Sequence, residues 1–310
     1  MELSKIVVGT RPSELAVAQG ELVIAQLKKH YPDYRIELKK ISTKGDRILD
    51  KQLAEISGKG LFIKEIEVAL LNGEIDMAVH SYKDLPTSVH DKLKIGAVPK
   101  RACPLDVLIT EDGLTLDNLP EGAKLGTGSL RRKSQLLHYR SDLEVVPIRG
   151  NIDTRLNKMH ETDLDGIILA AAGLERMGWQ DRITQYLEPE ISVPAPRQGA
   201  LAVEIRRGDS KIAEIVDNLN DPVTAKAVTA EFFFLKELEG GCSVPIGALA
   251  ETTGQEIEIE GIVASAEGTK IIRDRLKGKS NKAKELGISL ANRLIDRGAR
   301  NILKEIRGGK

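Results

Sequence analysis

The sequence predicts a mixed α/β protein with two α/β lobes and a smaller α+β domain at its C-terminal end. Strand-like and helix-like runs alternate through the first two thirds of the chain, which is typical of mainly parallel sheets. After Pro222 the pattern changes to one helix, three alternating strand patterns and a long helix. A chain of 310 residues also exceeds one typical core, which favours two or three domains.

The first lobe opens with a strand over residues 5–9 and a helix over 14–29, for which Ser13 is the expected N-cap. The helix face predicted from spacing comprises Leu15, Ala18, Leu22, Ala25 and Gln26. Strands are expected at 35–41 and 75–80, with a helix between them that ends at Asn72-Gly73. The predicted apolar face of this helix comprises Leu61, Phe62, Ile66, Ala69 and Leu70.

A linker at 100–104 leads to the second lobe. Gly126-Thr127-Gly128-Ser129 follows a strand and opens a helix over 130–139. The remaining predicted elements are strands at 145–148 and 166–169, a helix at 153–161 and a proline-marked linker at 192–199. This turn resembles the one at Gly9–Ser13, since both join a strand to a helix and contain Gly-Thr followed by a hydroxyl N-cap residue. We therefore expect two similar lobes, each with a helix N-terminus at a shared cleft.

The last third predicts a helix over 222–239, an antiparallel meander with strands at 245–250, 256–264 and 270–277, and a helix pattern over 283–306 with a possible break at Gly298. Cys242 lies on the loop before the first of these strands. Such a thiol is either a small buried hydrophobe or a group held out toward a cavity, because Gly240 and Gly241 permit close backbone approach.

Composition excludes several classes of protein. The 46 basic and 46 acidic residues cancel, and aromatic residues make up 3%, so neither a basic nucleic-acid coat nor a base-stacking surface is expected. Two cysteines make no disulfide framework or metal site. The N-terminus enters a strand directly and no apolar run spans a bilayer, which indicates a cytoplasmic protein.

Arginines near the predicted strand ends give the strongest chemical signal. They are Arg11, Arg131, Arg132, Arg149, Arg155 and Arg176. Each alone could be a solvated surface charge, but guanidinium groups bind carboxylates with two hydrogen bonds, and the helix start at Thr127–Ser129 adds N–H donors. Together they indicate a small ligand with several carboxylates or phosphates.

Asp84 follows the third predicted strand, between Lys83 and Leu85-Pro86. It could cap a turn, or it could stabilise a developing cation or move a proton. His80 is expected to be a satisfied strand residue. Gly58-Lys59-Gly60 lacks the Gly-Lys-Ser/Thr ending of a nucleotide P-loop, so ATP is not indicated.

Seven motifs in one order resemble the porphobilinogen deaminase (hydroxymethylbilane synthase) family, from about Ile6 to the last helix. They are Val8-Gly9-Thr10-Arg11, Gly58-Lys59-Gly60-Leu61-Phe62, Ala78-Val79-His80-Ser81-Tyr82-Lys83-Asp84-Leu85-Pro86, Gly128-Ser129-Leu130-Arg131-Arg132, Arg149-Gly150-Asn151, Gln198-Gly199-Ala200 and Gly240-Gly241-Cys242-Ser243-Val244-Pro245.

The resemblance implies two lobes like those of periplasmic binding proteins, residues 1–99 with 198–218 and residues 100–197, hinged near 99–105 and 193–198. Residues 219–310 form the α+β domain with a three-stranded antiparallel sheet. The implied enzyme is a monomeric transferase of porphyrin and heme biosynthesis. It joins four porphobilinogen molecules with loss of ammonia and releases the linear tetrapyrrole by hydrolysis, without metal.

The implied cofactor is dipyrromethane, joined to Cys242 by a thioether. Its expected ligands are Lys83, Asp84, Thr127, Ser129, Arg131 and Arg132. The expected substrate-binding residues are Arg11, Ser13, Arg149, Arg155 and Arg176. Asp84 is the expected catalytic residue, through the pyrrole N–H of a cationic intermediate. The hinge sequence Ala102-Cys103-Pro104-Leu105 departs from the family pattern.

Two other functions remain open. A two-lobed binding module for a polycarboxylate ligand would need the first two domains and no catalysis. A thiol hydrolase using Cys242 would need a histidine base, and none of the five histidines is placed by the sequence to serve.

Overall fold

The computed structural model describes residues 5–47, 63–88, 90–240 and 244–308. The chain divides into two compact units, residues 1–101 with 200–225 and residues 102–199 with 226–310. The first unit holds one five-stranded sheet, and the second holds a five-stranded and a three-stranded sheet. The finer division into three domains stays a prediction.

The described residues form strands β1–β13 and helices α1–α10. The strands are Lys5–Thr10, Arg35–Lys40, Met77–Ser81, Leu93–Ala97, Asp106–Ile109, Lys124–Gly126, Glu144–Val146, Gly166–Ala170, Gln185–Leu187, Leu201–Arg206, Ile246–Thr253, Glu256–Ala264 and Ile271–Lys279. The helices are Glu14–His30, Lys44–Arg47, Lys64–Leu71, Leu130–Tyr139, Ile152–Glu161, Ala171–Met177, Ser210–Asp217, Pro222–Glu237, Ala283–Asp296 and Ala299–Gly308.

The two five-stranded sheets share one pattern of strand directions but differ in connectivity, because the antiparallel strand is the last along the chain in the first sheet and the first along the chain in the second. Their strand orders are β2-β1-β3-β10-β4 and β7-β6-β8-β5-β9. In each sheet the first three strands are parallel, and the fourth runs antiparallel to both of its neighbours. The predicted α/β class is therefore confirmed, but the sheets are mixed and not mainly parallel, since two of the four strand pairings in each are antiparallel. Strands β4, β5, β9 and β10 were missed; β5 and β10 are each a short apolar run beside a proline-marked linker.

Helix α1 packs on the first sheet with a different face from the predicted one. Val23, Ile24 and Leu27 are buried, whereas Leu22 is 38% exposed. The face is rotated because Gly20 meets the sheet: a Cβ there would lie 2.6 Å from Cδ1 of Leu38. The missing side chain lets the helix approach closely, which simple apolar spacing does not reveal.

Helix α3 confirms part of its predicted face, since Ile66, Ala69 and Leu70 are buried. Leu61 and Phe62 lie outside the described residues. The helix ends before Gly73, which has a φ of +74°, as the Asn72-Gly73 signal predicted.

The smaller domain has the predicted meander, with sheet order β11-β12-β13 and antiparallel pairing throughout. Helices α8, α9 and α10 cover it, around a core that includes Phe234, Leu290 and Ile259. The predicted helix over 283–306 is broken at Gly298, whose φ is +98°. The turn between β12 and β13 also packs on α4, where Nδ1 of His138 lies 3.0 Å from the carbonyl oxygen of Gly268.

We predict that Gly287→Ala destabilises this smaller domain. A Cβ at position 287 on α9 would overlap the carbonyl oxygen of Ala230 on α8, so the helices must separate. Overpacking of this kind costs about 1–3 kcal/mol. Chemical denaturation of the purified protein measures the loss.

Gly308→Ala is the matched control, because nothing lies within 4 Å of a Cβ at that position. We expect its free energy of unfolding to change by less than about 0.5 kcal/mol. Equal effects of the two substitutions would contradict the close helix contact.

Candidate functional site

The predicted residues of the first lobe lie at one edge of its sheet. β1 and β3 are parallel neighbours, with Gly9 opposite Ala78. Arg11 and Ser13 follow β1, and Lys83 and Asp84 follow β3. Ligands of α/β sheets bind where parallel strands reach their carboxyl ends, so these four residues occupy the expected position.

Arg11 forms an ion pair within this lobe. Its Nε and Nη2 atoms lie 3.1 and 2.5 Å from Oδ1 of Asp46, and the backbone N–H and hydroxyl of Thr43 donate to Oδ2. Burial by itself would raise the pKa of Asp46, but the bonds from Arg11 and Thr43 outweigh it and lower the pKa. Any ligand carboxylate at Arg11 must therefore compete with Asp46.

Asp84 ends a one-turn 3-10 helix over Tyr82–Asp84. The backbone N–H of Tyr82 donates to the carbonyl oxygen of Ala200 at 3.0 Å, and Leu85 is buried, so the turn is anchored at both ends. The Asp84 side chain is exposed, and no hydrogen bond or ion pair from the described residues reaches its carboxylate. The lobe thus presents a carboxylate on a fixed turn.

His80 is buried in β3, and its Nε2 lies 3.1 Å from Oε2 of Glu204 on β10. Glu204 is fully buried. The expectation that His80 is a satisfied strand residue is confirmed.

Ser13 is the N-cap residue of α1, as predicted. It has extended backbone angles, and its carbonyl oxygen accepts the N–H of Val17 at 2.9 Å. Its hydroxyl makes no capping bond, which leaves that group available at the sheet edge.

The second lobe repeats this arrangement. Gly126 of β6 is level with Val146 of β7 and Ile167 of β8, and the three strands are parallel. The segments after them carry the predicted residues Thr127, Ser129, Arg131, Arg132, Arg149, Arg155 and Arg176. The predicted residues of this lobe therefore follow the carboxyl ends of its parallel strands.

The turn before α4 is held by its own hydroxyl groups. Oγ1 of Thr127 accepts the N–H of Ser129 at 3.3 Å, and Oγ of Ser129 accepts the N–H of Arg132 at 3.4 Å. A Cβ at Gly128 would lie 2.7 Å from the carbonyl oxygen of Ile148, so the turn needs glycine there. Each hydroxyl keeps its O–H as a donor.

Arg131 and Arg132 are buried and both bind Asp106, a residue the sequence analysis missed. Nη1 and Nη2 of Arg131 lie 2.6 and 3.2 Å from the two carboxylate oxygens. Nε and Nη2 of Arg132 lie 2.9 and 2.8 Å from Oδ1. Burial alone would raise the pKa of Asp106, but the charges of the two arginines outweigh it and hold the pKa far below its usual range.

A signal for Asp106 was present in the sequence. It is a charged residue that opens the apolar run Val107–Ile109 just after a linker. A carboxylate at the start of a strand buried on both faces needs a partner, because an unpaired buried charge is costly. Assigning the neighbouring residues to a linker hid this strand.

The other arginines of this edge differ in their surroundings. Arg149 is exposed, and no described side chain pairs with it. Nε of Arg155 donates to the carbonyl oxygen of Gly150 at 2.9 Å. Nη2 of Arg176 donates to the carbonyl oxygen of Gly199 at 2.6 Å.

Arg176 is half-buried, and its pKa is lowered. Burial lowers its pKa to about 10, with a small opposing effect from Glu175. No carboxylate within the described part of the chain forms an ion pair with it. A half-buried guanidinium whose hydrogen-bond partner is a neutral carbonyl can take a ligand carboxylate.

Some predicted features lie outside the described residues, namely Cys242 with Gly241 and Ser243, and the segment Gly58–Phe62. Cys103 is half-buried and in no disulfide among the described residues, and its backbone N–H donates to Oε2 of Glu175 at 3.3 Å. The described residues contain no cluster of histidine, cysteine or carboxylate side chains suited to a metal ion. None of the described helices combines the length and apolar character needed to cross a membrane.

Comparison with known proteins identifies the family. Residues 6–214 match the model of the porphobilinogen deaminase dipyromethane cofactor binding domain, and residues 225–296 match that of the porphobilinogen deaminase C-terminal domain. Porphobilinogen deaminase of Natranaerobius thermophilus is 50% identical over 98% of this chain and 100% of its own length. That of Halalkalibacterium halodurans is 48% identical over 99% of both chains. The chain belongs to the porphobilinogen deaminase family.

Proposed function

We propose that this chain is the hydroxymethylbilane synthase of porphyrin and heme biosynthesis. It condenses four porphobilinogen molecules head to tail, releases ammonia at each step, and hydrolyses the linear tetrapyrrole from a covalently bound dipyrromethane cofactor. The observation that carries this function is the arginine-rich carboxyl edge of the second lobe, in a chain with no net charge. Porphobilinogen bears an acetate and a propionate group, which guanidinium groups bind well.

The residues present fit a dipyrromethane group, which supplies the terminal pyrrole to which substrate is joined. Nε of Arg131 has no acceptor among the described residues, so this side chain keeps a donor for a carboxylate. The hydroxyls of Thr127 and Ser129 keep theirs as well. We assign Lys83, Asp84, Thr127, Ser129, Arg131 and Arg132 to the cofactor, and Cys242 to the thioether.

Asp84 is the proposed catalytic residue. Loss of ammonia from porphobilinogen leaves a cation whose pyrrole N–H is a strong donor. A carboxylate that no described neighbour occupies can accept this N–H and stabilise the positive charge as it develops. The anchored turn keeps the carboxylate in place, so little reorganisation is needed at each addition.

Arg11, Ser13, Arg149, Arg155 and Arg176 are the proposed ligands of the incoming substrate and the growing chain. They differ in how readily they accept a carboxylate. Arg149 is exposed and has no described side-chain partner, whereas Arg11 must exchange Asp46 for the ligand. Arginines that differ in how readily they accept a ligand carboxylate suit a site that binds pyrrole chains of several lengths in turn.

We further propose that the protein acts as a monomer in the cytoplasm and binds neither nucleic acid nor membranes. A thioether anchor requires Cys242 to be a free thiol when the cofactor attaches, and reducing compartments keep thiols free. The balanced charge and the low aromatic content support the absence of nucleic acid.

The first test is the intact mass of the purified protein. We expect an added mass of two joined pyrrole units and a positive pyrrole-specific colour reaction. Cys242→Ala should lack both, because it has no thiol to form the thioether. Cys103→Ala, the matched control, should keep both.

A fully active protein without added mass would contradict the covalent cofactor. A protein that binds porphobilinogen reversibly, carries no adduct and releases no ammonia would instead be the two-lobed binding module.

The second test is Asp84→Ala. We expect kcat to fall by about 10²–10⁴-fold, because the charge that stabilises the cation is lost. The added mass should remain detectable. Ammonia release under saturating porphobilinogen measures the effect.

Asp91→Ala is the control for Asp84, since Asp91 is also an exposed carboxylate of the first lobe. Its kcat should equal that of the wild type. If Asp84→Ala also keeps wild-type kcat, Asp84 has no part in the mechanism.

The third test is Arg176→Met. Arg176 is half-buried and makes one hydrogen bond, to the carbonyl oxygen of Gly199, so its replacement by an apolar side chain of similar volume should cost at most about 1 kcal/mol of stability. We therefore expect nearly unchanged stability to urea, together with a fall in kcat/KM of about tenfold or more.

Arg140→Met gives the opposite pattern and serves as the control. Arg140 binds Asp142 and the carbonyl oxygens of Leu116 and Leu119, so its loss should lower stability and leave kcat/KM unchanged. Arg176→Met with wild-type kcat/KM would remove Arg176 from substrate binding.

A further inference from the structure

Asp106 lies at the centre of a buried polar cluster in the second unit. Besides the two arginines, it accepts hydrogen bonds from Oγ of Ser192 at 2.8 Å and Nε2 of Gln198 at 2.9 Å. Its carboxylate is 0% exposed, and Arg131 and Arg132 are each 5% exposed. The carboxylate is therefore sealed from water, whereas each arginine keeps a small exposed fraction.

The direction of β5 places this carboxylate at the functional edge. β5 runs antiparallel to β8, so its first residue, Asp106, pairs with Ala170, the last residue of β8. The carboxyl ends of the parallel strands lie at this same edge. A parallel strand in this place would have put its first residue at the opposite edge.

The cluster carries a surplus positive charge. Two guanidinium groups face one carboxylate, and their other partners are neutral: the carbonyl oxygens of Val193 and Ile168 and the hydroxyl of Ser192. No other described carboxylate bonds to either arginine. Burial accordingly lowers the pKa of Arg132, an effect that the charge of Asp106 opposes and that of Arg131 reinforces.

We propose that Asp106 is a positioning residue for the cofactor. By binding both guanidinium groups, it fixes Arg131 and Arg132 in one arrangement, in which the unused donor of Arg131 and the surplus positive charge meet the carboxylates of dipyrromethane. This inference rests on the proposed function, in which these two arginines hold the cofactor.

If the cluster binds the cofactor through its net charge alone, removing the charge of Asp106 should increase cofactor uptake. If binding depends on fixed guanidinium groups, the same change should decrease uptake. Asp106→Asn raises the charge of the cluster from one to two while keeping the shape of the side chain. A cluster that attracts carboxylates through charge alone would then take up the cofactor more readily. A cluster that depends on fixed guanidinium groups would take up less cofactor. An asparagine side chain has one oxygen where aspartate has two, so it cannot accept all the hydrogen bonds from both arginines.

The experiment measures cofactor content, not turnover. Full-length wild type, Asp106→Asn and Asp142→Asn are purified from one host, and intact mass gives the fraction that carries the adduct. Apoprotein of each is then incubated with porphobilinogen, and the appearance of the added mass is timed. Asp142 is the control because it is an acidic partner of an arginine at the surface, Arg140.

We expect Asp106→Asn to carry the adduct in about a tenth or less of the wild-type fraction and to load about tenfold more slowly. Asp142→Asn should match the wild type. Circular dichroism of the apoproteins checks that all three fold. Equal or faster loading of a folded Asp106→Asn protein would overturn the positioning role.

If Asp106→Asn does not fold, Ser192→Ala replaces it. This substitution removes one donor to Asp106 and one acceptor of Arg131 but keeps both ion pairs, and loading should slow severalfold. Unchanged loading would then overturn the proposal. A wild type that carries no adduct would instead refute the proposed function itself, and this inference with it.

Discussion

The ion pairs between Asp106 and two arginines are the interaction around which the second lobe is arranged. Removing three charges from water is costly, and such a cluster is tolerated when its hydrogen bonds are nearly complete. Here Asp106 at the start of β5 accepts hydrogen bonds from Arg131 and Arg132 on α4 and from Ser192 and Gln198 on the segment that follows β9. One carboxylate therefore joins three parts of the chain that are distant in sequence.

The same chemistry is arranged differently in the two lobes. Both sheets have the same pattern of strand directions, and both carry the proposed site residues after their parallel strands. The first lobe presents Asp84 on an exposed turn, and its Arg11 is paired with Asp46. The second lobe presents mainly cations, several of them desolvated. One pattern of strand directions thus carries both the proposed reacting carboxylate and the arginines proposed to bind ligand carboxylates.

Sequence reasoning succeeded where a local pattern decides the structure. The strand-to-helix turn at Thr127–Ser129 and the helix over 130–139 follow from glycine and hydroxyl capping, and the structure has the helix at Leu130–Tyr139. The arginines after strand ends were found because parallel strands bring their carboxyl ends together. The same reasoning gave the broken helix at Gly298, where a positive φ favours glycine.

It failed where a distant part of the chain decides. The buried face of α1 depends on contact between Gly20 and Leu38, which apolar spacing alone does not show. Asp106 and Gln198 are 92 residues apart, so neither reveals its partner locally. The proposed role of Cys242 depends on family resemblance, because a loop cysteine is equally consistent with an inert thiol.

The placement of β10 has a consequence for how the chain folds during synthesis. This strand lies between β3 and β4 in the first sheet, yet it follows the whole second lobe in sequence. Until residue 206 has left the ribosome, the nascent first lobe lacks an inner strand, and His80 lacks Glu204. The second five-stranded sheet ends at β9 and has all its strands earlier, so it can close first. The N-terminal lobe is then the later one to fold, since contacts of high sequence separation form slowly.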